Sequence, residues 1–398
     1  MNPDLNRLQP YPFEKLADLK KGITPPADKA HIALSIGEPR HQPPAFVLDR
    51  LASSLDTIGQ YPLTRGTLQL RNSIANWLIS RFKLGTDAVN PETQILPVNG
   101  TREALFAFAQ TVIDRNKNPH ILMPNPFYQI YEGAAYLAGA KPVFYNTTKD
   151  TGYLPDFDAI SEADWKQCQL LYICTPGNPT GAVIPKEQLK NLIEKAEKYD
   201  FIIASDECYS EIYFDENSPP PGLLEVAKEM GNDDFKRCIV FHSLSKRSNL
   251  PGLRSGFVAG DADIIHSFFQ YRTYHGCAMP PATQAASISA WSDEQHVIDN
   301  RSLYKTKFNS VVEILSPVLD VTLPDAGFYL WPQTPIIDTD FAQNLFAEQN
   351  VTVLPGQFLS RDSHNINPGK NHIRMALVAT VDETVEAARR IHQFVEKL

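Results

Sequence analysis

The sequence predicts an α/β protein: a large domain on a mostly parallel sheet covered by helices on both faces, with a smaller α+β domain beside it. Three observations point there. From about residue 92, short apolar runs alternate with stretches of helical length and pattern, as in a sheet whose strands are buried on both sides. After about residue 291 the order changes to a long helical stretch, then short strands interleaved with two further helices. The chain has 398 residues, enough for two or three domains at about 100–200 residues each, or one large domain with an appendage.

In chain order, residues 1–45 are rich in Pro and lack a clear period. Seven apolar runs then read as strands, at 94–98, 120–123, 142–145, 170–174, 201–205, 238–241 and 256–259. Helical stretches fall between several of them, at 101–113, 127–137, 185–199 and 261–271. Two more follow at 281–291 and 293–315. The last part reads as strands at 318–323, 327–331, 351–354 and 372–376, with helices at 339–348 and 382–396. The expected division is a large domain over 46–290 and a discontinuous small domain from 1–45 plus 291–398. No internal repeat is visible.

Composition narrows the class. The 46 acidic side chains outnumber the 37 basic ones, a net charge of -9, which argues against a nucleic-acid partner. The 31 prolines are scattered, so disorder is not expected. No apolar run approaches the roughly 20 residues of a membrane span, and the first residues show no cationic leader with an apolar stretch. Five cysteines without a C-x-x-C pair make a poor disulfide framework and a poor zinc site. A reducing, cytoplasmic setting is therefore expected. The ten histidines show no metal-ligand spacing, and no metal is expected. G-x-G is absent, as are the P-loop and H-E-x-x-H motifs.

Ligands in a parallel α/β sheet bind beyond the carboxyl ends of the strands. There the sequence places Asn99-Gly100-Thr101-Arg102, Gly177-Asn178-Pro179-Thr180-Gly181, Asp206-x-x-Tyr209 and Ser243-Leu244-Ser245-Lys246, with Arg254 eight residues on. Helix-start N–H groups, serine hydroxyls and an arginine suit a phosphate. An aspartate suits a protonated ring nitrogen, and a lysine suits an aldehyde. A phosphorylated pyridine aldehyde, pyridoxal 5'-phosphate, calls for all of these together.

This ordered set resembles the class I/II aminotransferases of the pyridoxal-phosphate-dependent transferase fold type I. The resemblance also takes in Ile36-Gly37-Glu38-Pro39, Tyr61-Pro62, Gly252-x-Arg254-x-Gly256 and His372-Ile373-Arg374, and covers nearly the whole chain. It implies a Schiff-base role for Lys246, which would then shuttle a proton at the substrate α-carbon. Asp206 would face the ring nitrogen, and Asn178 and Tyr209 the phenolic oxygen. Gly100, Thr101, Arg102, Ser243, Ser245 and Arg254 would form the phosphate cup. Tyr128 would stack on the ring, with Tyr131 as competitor. Arg374 would bind the substrate α-carboxylate, assisted by a Gly37 backbone N–H. Tyr61 would reach the phosphate of a neighbouring subunit, which implies a homodimer with shared sites.

More narrowly, the segments 243–257 and 274–280 resemble bacterial succinyldiaminopimelate aminotransferases. That implies N-succinyl-LL-2,6-diaminopimelate as amino donor and 2-oxoglutarate as acceptor, in lysine biosynthesis. Arg40, Arg65 and Arg272 are the candidates for a distal carboxylate. The same core motifs also occur in aminotransferases of other substrates and in β-lyases. A penicillin-recognising S-x-x-K reading of Ser243–Lys246 lacks its S-D-N and K-T-G companions.

Overall fold

The computed structural model describes residues 1–398. All seven expected strands of the central sheet form, and one further strand precedes them: β1 Ile32–Ala33, β2 Ile95–Val98, β3 His120–Asn125, β4 Lys141–Asn146, β5 Cys168–Cys174, β6 Ile202–Asp206, β7 Cys238–Ser243 and β8 Gly256–Gly260. The seven-stranded sheet has the order β2-β8-β7-β6-β5-β3-β4. Only β8 runs against its neighbours; the other pairs are parallel. One consequence matters for the site. The start of β8, Gly256, pairs with the ends of β2 and β7 at Val98 and Ser243. Residues just before β8 therefore share an edge with residues just after the parallel strands.

Successive side chains of a strand point to opposite faces, and the core divides accordingly. Leu171, Ile173, Ile203 and Val240 join one cluster with the helices Leu68–Arg81, Lys186–Tyr199, Leu223–Glu229 and Pro281–Trp291. Leu170, Tyr172, Ala204, Ile239 and Phe241 join the other, with Thr101–Val112, Gln129–Ala138 and Ala262–His275. A third cluster brings Ile32 and Leu34 together with Phe308, Phe341, Ile373 and Phe394. There β1 pairs in parallel with β10 (Val351–Thr352). Close by, β11 (Leu354–Pro355) and β9 (Tyr329–Leu330) flank β12 (Ile373–Ala376) in antiparallel fashion. No helix is long and apolar enough to cross a membrane.

The expected strand at 318–323 does not form. Leu319 and Val321 bury themselves in the third cluster from an unpaired segment, while Leu323 is exposed. The apolar alternation there reflects burial without a ladder partner. Among the helices that were not anticipated are Ala45–Ala52, Leu68–Arg81 and Leu223–Glu229. In the second, Arg71 is buried, its guanidinium donating to the carbonyls of Pro91 and Gly66 and to Glu92. A buried cation in the apolar stripe hides the helical period.

Candidate active site

Strand β7 ends at Ser243, whose hydroxyl accepts the Ser245 N–H at 3.1 Å and so caps the short turn Leu244–Arg247. The turn sends Lys246 and Arg247 in different directions. Arg247 is buried and donates to the Ala290 carbonyl at 2.7 Å, while Lys246 enters a cavity of about 700 Å³ beyond the sheet edge. The Lys246 Nζ donates to the Gly37 carbonyl and lies 5.3 Å from the centre of the Phe328 ring. Burial pulls its pKa down to about 8; Arg374 and Arg102 push the same way, against Cys208 and Glu38. A neutral, nucleophilic amine is thereby accessible near neutral pH.

Asp206 closes β6 and is buried. Tyr131 donates to its Oδ2 at 2.7 Å and the Cys208 N–H to its Oδ1 at 3.3 Å. Burial raises the carboxyl pKa, while those two donors and the His242 ring act against it. Asn178, in the turn after β5, accepts from Arg374 Nη1 at 3.0 Å. Arg374 Nη2 donates to the Ser35 carbonyl at 2.8 Å, and its Nε is buried without a partner. The guanidinium lies 4.6 Å from the centre of the Tyr329 ring. The hydroxyls of Tyr209 and Tyr329 are 3.0 Å apart, and burial drives the Tyr209 phenol well above its ordinary pKa.

Another part of the lining is cationic and rich in donors. Gly100 precedes the helix Thr101–Val112 with φ of 83°. That positive φ favours glycine, and a Cβ there would meet the Arg254 guanidinium, which packs against this residue. Arg254 donates to the carbonyls of Pro251 at 2.9 Å and Asn99 at 3.4 Å. It reaches this part because β8 is reversed. Thr101, Ser243, Ser245 and Arg254 line the cavity together with Lys246, Asp206, Asn178, Tyr209 and Arg374.

The remaining expectations divide. Gly37 lines the cavity, but with its carbonyl turned to Lys246. Tyr128 lines it too, its hydroxyl accepting from Arg102 Nε at 2.8 Å. Tyr131 lies deeper, stacked on Tyr172 at 4.6 Å between ring centres, and serves Asp206. Tyr61 is not brought to this cavity; it is fully exposed, 103%. Arg272, Arg65 and Arg40 are not brought there either.

The arrangement of amine, buried acid, cationic cup and second arginine is matched by family. Residues 29–391 match the family model "Aminotransferase class I and II". The chain belongs to that family. Pyridoxal phosphate is the cofactor of this aminotransferase, and the residues fit it. Asp206 is a buried acid held by two donors, the helix start has a glycine of positive φ at position 100 packed against the Arg254 guanidinium, and Lys246 is a buried amine of depressed basicity. Among similar solved structures is an aminotransferase from Neisseria meningitidis, 49% identical with a TM-score of 0.95, covering 99% of this chain and 100% of that one. The aminotransferase AspB from Helicobacter pylori is 35% identical with a TM-score of 0.90, covering 98% and 99%. A probable N-succinyldiaminopimelate aminotransferase from Thermus thermophilus is 25% identical with a TM-score of 0.83, covering 96% and 99%. An LL-diaminopimelate aminotransferase from Maridesulfovibrio salexigens is 30% identical over 97% of each chain.

Sequence reasoning missed Tyr329 and Cys208. Tyr329 lay inside an expected strand, and only the β9–β12 pairing, which sets Ala376 opposite Tyr329, brings that ring under Arg374. Cys208 had a local signal: it sits two residues past Asp206 in the same turn, its sulfur 3.1 Å from the Thr101 hydroxyl.

Proposed function

We propose that this aminotransferase moves the amino group of N-succinyl-LL-2,6-diaminopimelate to 2-oxoglutarate, a step of lysine and diaminopimelate biosynthesis. One observation carries the transfer chemistry: the Lys246 amine, its pKa lowered to about 8, shares a single cavity with Asp206 and Arg374. The names of the relatives support the donor class. One is an LL-diaminopimelate aminotransferase and another a probable N-succinyldiaminopimelate aminotransferase.

Pyridoxal phosphate, when bound, supplies an aldehyde and an electron-withdrawing ring. The chain's own residues do the rest. Arg374 presents its free N–H groups to the substrate α-carboxylate, and Asn178 and Tyr329 hold that guanidinium flat. Lys246 Nζ takes the proton from the substrate α-carbon and returns it during transfer. Asp206, fixed by Tyr131 and the Cys208 N–H, would pair with the ring nitrogen. Asn178 and Tyr209 would serve the phenolic oxygen. Thr101, Ser243, Ser245, Arg254 and the helix start would hold the phosphate.

The reading includes a cytoplasmic homodimer with shared sites. Phe46, Leu48, Leu55, Ile58, Tyr61 and Leu63 are all exposed on one stretch of chain, which supports a partner surface there. It also includes a large domain over 46–290 and a small one from 1–45 and 291–398, supported by the pairing of β1 with β10.

The test is a donor panel with 2-oxoglutarate: N-succinyl-LL-2,6-diaminopimelate, LL-diaminopimelate, acetylornithine and aspartate. The expected result is the highest kcat/KM for the succinylated donor, with one glutamate formed per donor consumed. Preference for LL-diaminopimelate would move the assignment to the unacylated substrate. Cystathionine, which carries a thiolate leaving group on its β-carbon, is run beside them; ammonia and pyruvate from it, with no glutamate from any donor, would mark a β-lyase and overturn the transfer reading.

A further inference from the structure

The three residues that follow Lys246 are each tied by a side chain to one place outside the cavity, the start of the helix Gln295–Leu315. Arg247 is buried, and its Nη1 donates to the Ala290 carbonyl at 2.7 Å and to Ser248 Oγ at 3.3 Å. Its Nη2 donates to the Asp293 carbonyl at 3.1 Å and to Glu294 Oε1. Ser248 Oγ lies 2.8 Å from His296 Nε2, and His296 Nδ1 lies 2.6 Å from Asp293 Oδ1. Asn249 Nδ2 donates to Asn300 Oδ1 at 2.9 Å.

The contacts of Arg247, Ser248, His296 and Asp293 close a ring. The Asp293 carboxylate only accepts, so His296 Nδ1 carries the hydrogen. Burial lowers the His296 pKa against the pull of Asp293, and in the neutral ring Nε2 accepts from the Ser248 hydroxyl. Ser248 accepts in turn from Arg247, which donates back to the Asp293 carbonyl. Asp, His and Ser in this order also make the constellation of nucleophilic hydrolases. Here they serve no nucleophile, because Ser248 is wholly buried and its oxygen already takes the Arg247 Nη1 hydrogen. The ring instead fixes the backbone directly after Lys246.

The same helix reaches the other end of that side chain. Asn300 Oδ1 also accepts from His41 Nδ1 at 2.6 Å. His41 lies four residues past Gly37, whose carbonyl accepts from Lys246 Nζ. The helix thus holds the base of Lys246 through Ser248 and Asn249, and its tip through the segment 37–41.

We propose that His296 and Asn300 are positioning residues for Lys246, His296 acting through Ser248 and Asn300 through Asn249 and His41. Neither touches substrate; both set where the amine stands when it moves the α-proton. The proposal rests on the reading of Lys246 as the group that moves that proton. Displacement of a reacting atom by about 1 Å costs on the order of 100-fold in rate, so a loosened turn should slow the chemistry without weakening substrate binding.

The test uses the holoenzyme and its half-reaction with glutamate, carrying hydrogen or deuterium at the α-carbon. Ser248→Ala removes one oxygen atom from the ring. It is expected to lower the maximal rate about 10-fold, with the half-saturating concentration unchanged and a deuterium isotope effect present. Apoenzyme of the same variant should recombine with pyridoxal phosphate more slowly, by about threefold or more. His296→Asn, which still donates to Asp293 but does not reach Ser248, should behave alike. His296→Gln, whose amide oxygen can meet the Ser248 hydroxyl, should lose less. Asn300→Leu, of similar size but without the shared acceptor, is expected to repeat the Ser248→Ala pattern. Ser248→Ala, the mildest change, decides if the others fail to fold. Wild-type turnover and recombination in Ser248→Ala would overturn the role of His296, and in Asn300→Leu that of Asn300, even with the Tm lowered. A slowed reaction without an isotope effect would place the damage in another step and overturn both. Failure of the underlying reading shows separately, as no wild-type reaction with glutamate or as normal turnover in Lys246→Ala.

Discussion

Arg374→Lys probes how the α-carboxylate is held. A guanidinium has five N–H donors. Arg374 spends one on Asn178 Oδ1 at 3.0 Å and one on the Ser35 carbonyl at 2.8 Å, leaving the others, the unpartnered Nε among them, for substrate. Lysine keeps the charge but cannot serve Asn178, Ser35 and two carboxylate oxygens at once. Losing one charge-assisted bond to substrate costs about 1.5–3 kcal/mol, and at about 1.4 kcal/mol per tenfold kcat/KM should fall roughly 10- to 100-fold. Asn178 or Ser35 left without its donor adds to this loss. The assay is steady-state transamination with 2-oxoglutarate, after circular dichroism and the visible cofactor band show an intact holoenzyme. A half-reaction with a primary amine that lacks an α-carboxylate serves as the control. The reasoning is refuted if Arg374→Lys matches the wild type, or if the control amine loses as much as the amino acid does.

Three further outcomes follow from the same geometry. Tyr131→Phe removes the 2.7 Å donor from Asp206, so the carboxyl pKa rises further and cofactor affinity falls by about tenfold or more; titration of apoenzyme with pyridoxal phosphate measures it, and unchanged affinity contradicts it. With Lys246 at about 8 rather than 10.5, roughly a tenth of the amine is neutral at pH 7. Recombination of apoenzyme with the aldehyde should therefore speed up from pH 7 and level off by about pH 9; a rate still climbing towards pH 10.5 would contradict it. Lys307 is wholly buried, donates to the Leu377 carbonyl at 3.1 Å, and has its pKa lowered by burial to about 7. Between that value and 10.5 the unfolded chain holds a proton that the folded one releases, so this group makes stability rise with pH across the window, while below it the full penalty of a buried charge applies. Lys307→Met should raise the Tm at pH 7 and abolish this group's gain between pH 7 and pH 9, as thermal melts at the two values would show.

The central sheet was legible because its strands are buried on both faces and read as unbroken apolar runs, as in Leu170 to Cys174. The site was legible because its residues cluster just past strand ends, where a parallel sheet collects ligands. What stayed hidden depended on contacts distant in sequence. Tyr128 and Tyr131 stand one turn apart, and nothing local says that one meets the cavity and Arg102 while the other lies under Asp206. The strand expected at 318–323 had the right apolar content, but burial without a ladder partner leaves the same trace. Arg272 looked available because its partner Glu103 lies 169 positions away.

The account turns on Lys246 carrying the chemistry. Borohydride reduction of the coloured holoenzyme, followed by peptide mass mapping, tests this directly. The expected result is loss of the visible band with a pyridoxyl mass on the peptide holding Lys246, and neither adduct nor turnover in Lys246→Ala. An adduct on another lysine, or normal turnover by Lys246→Ala, would contradict it.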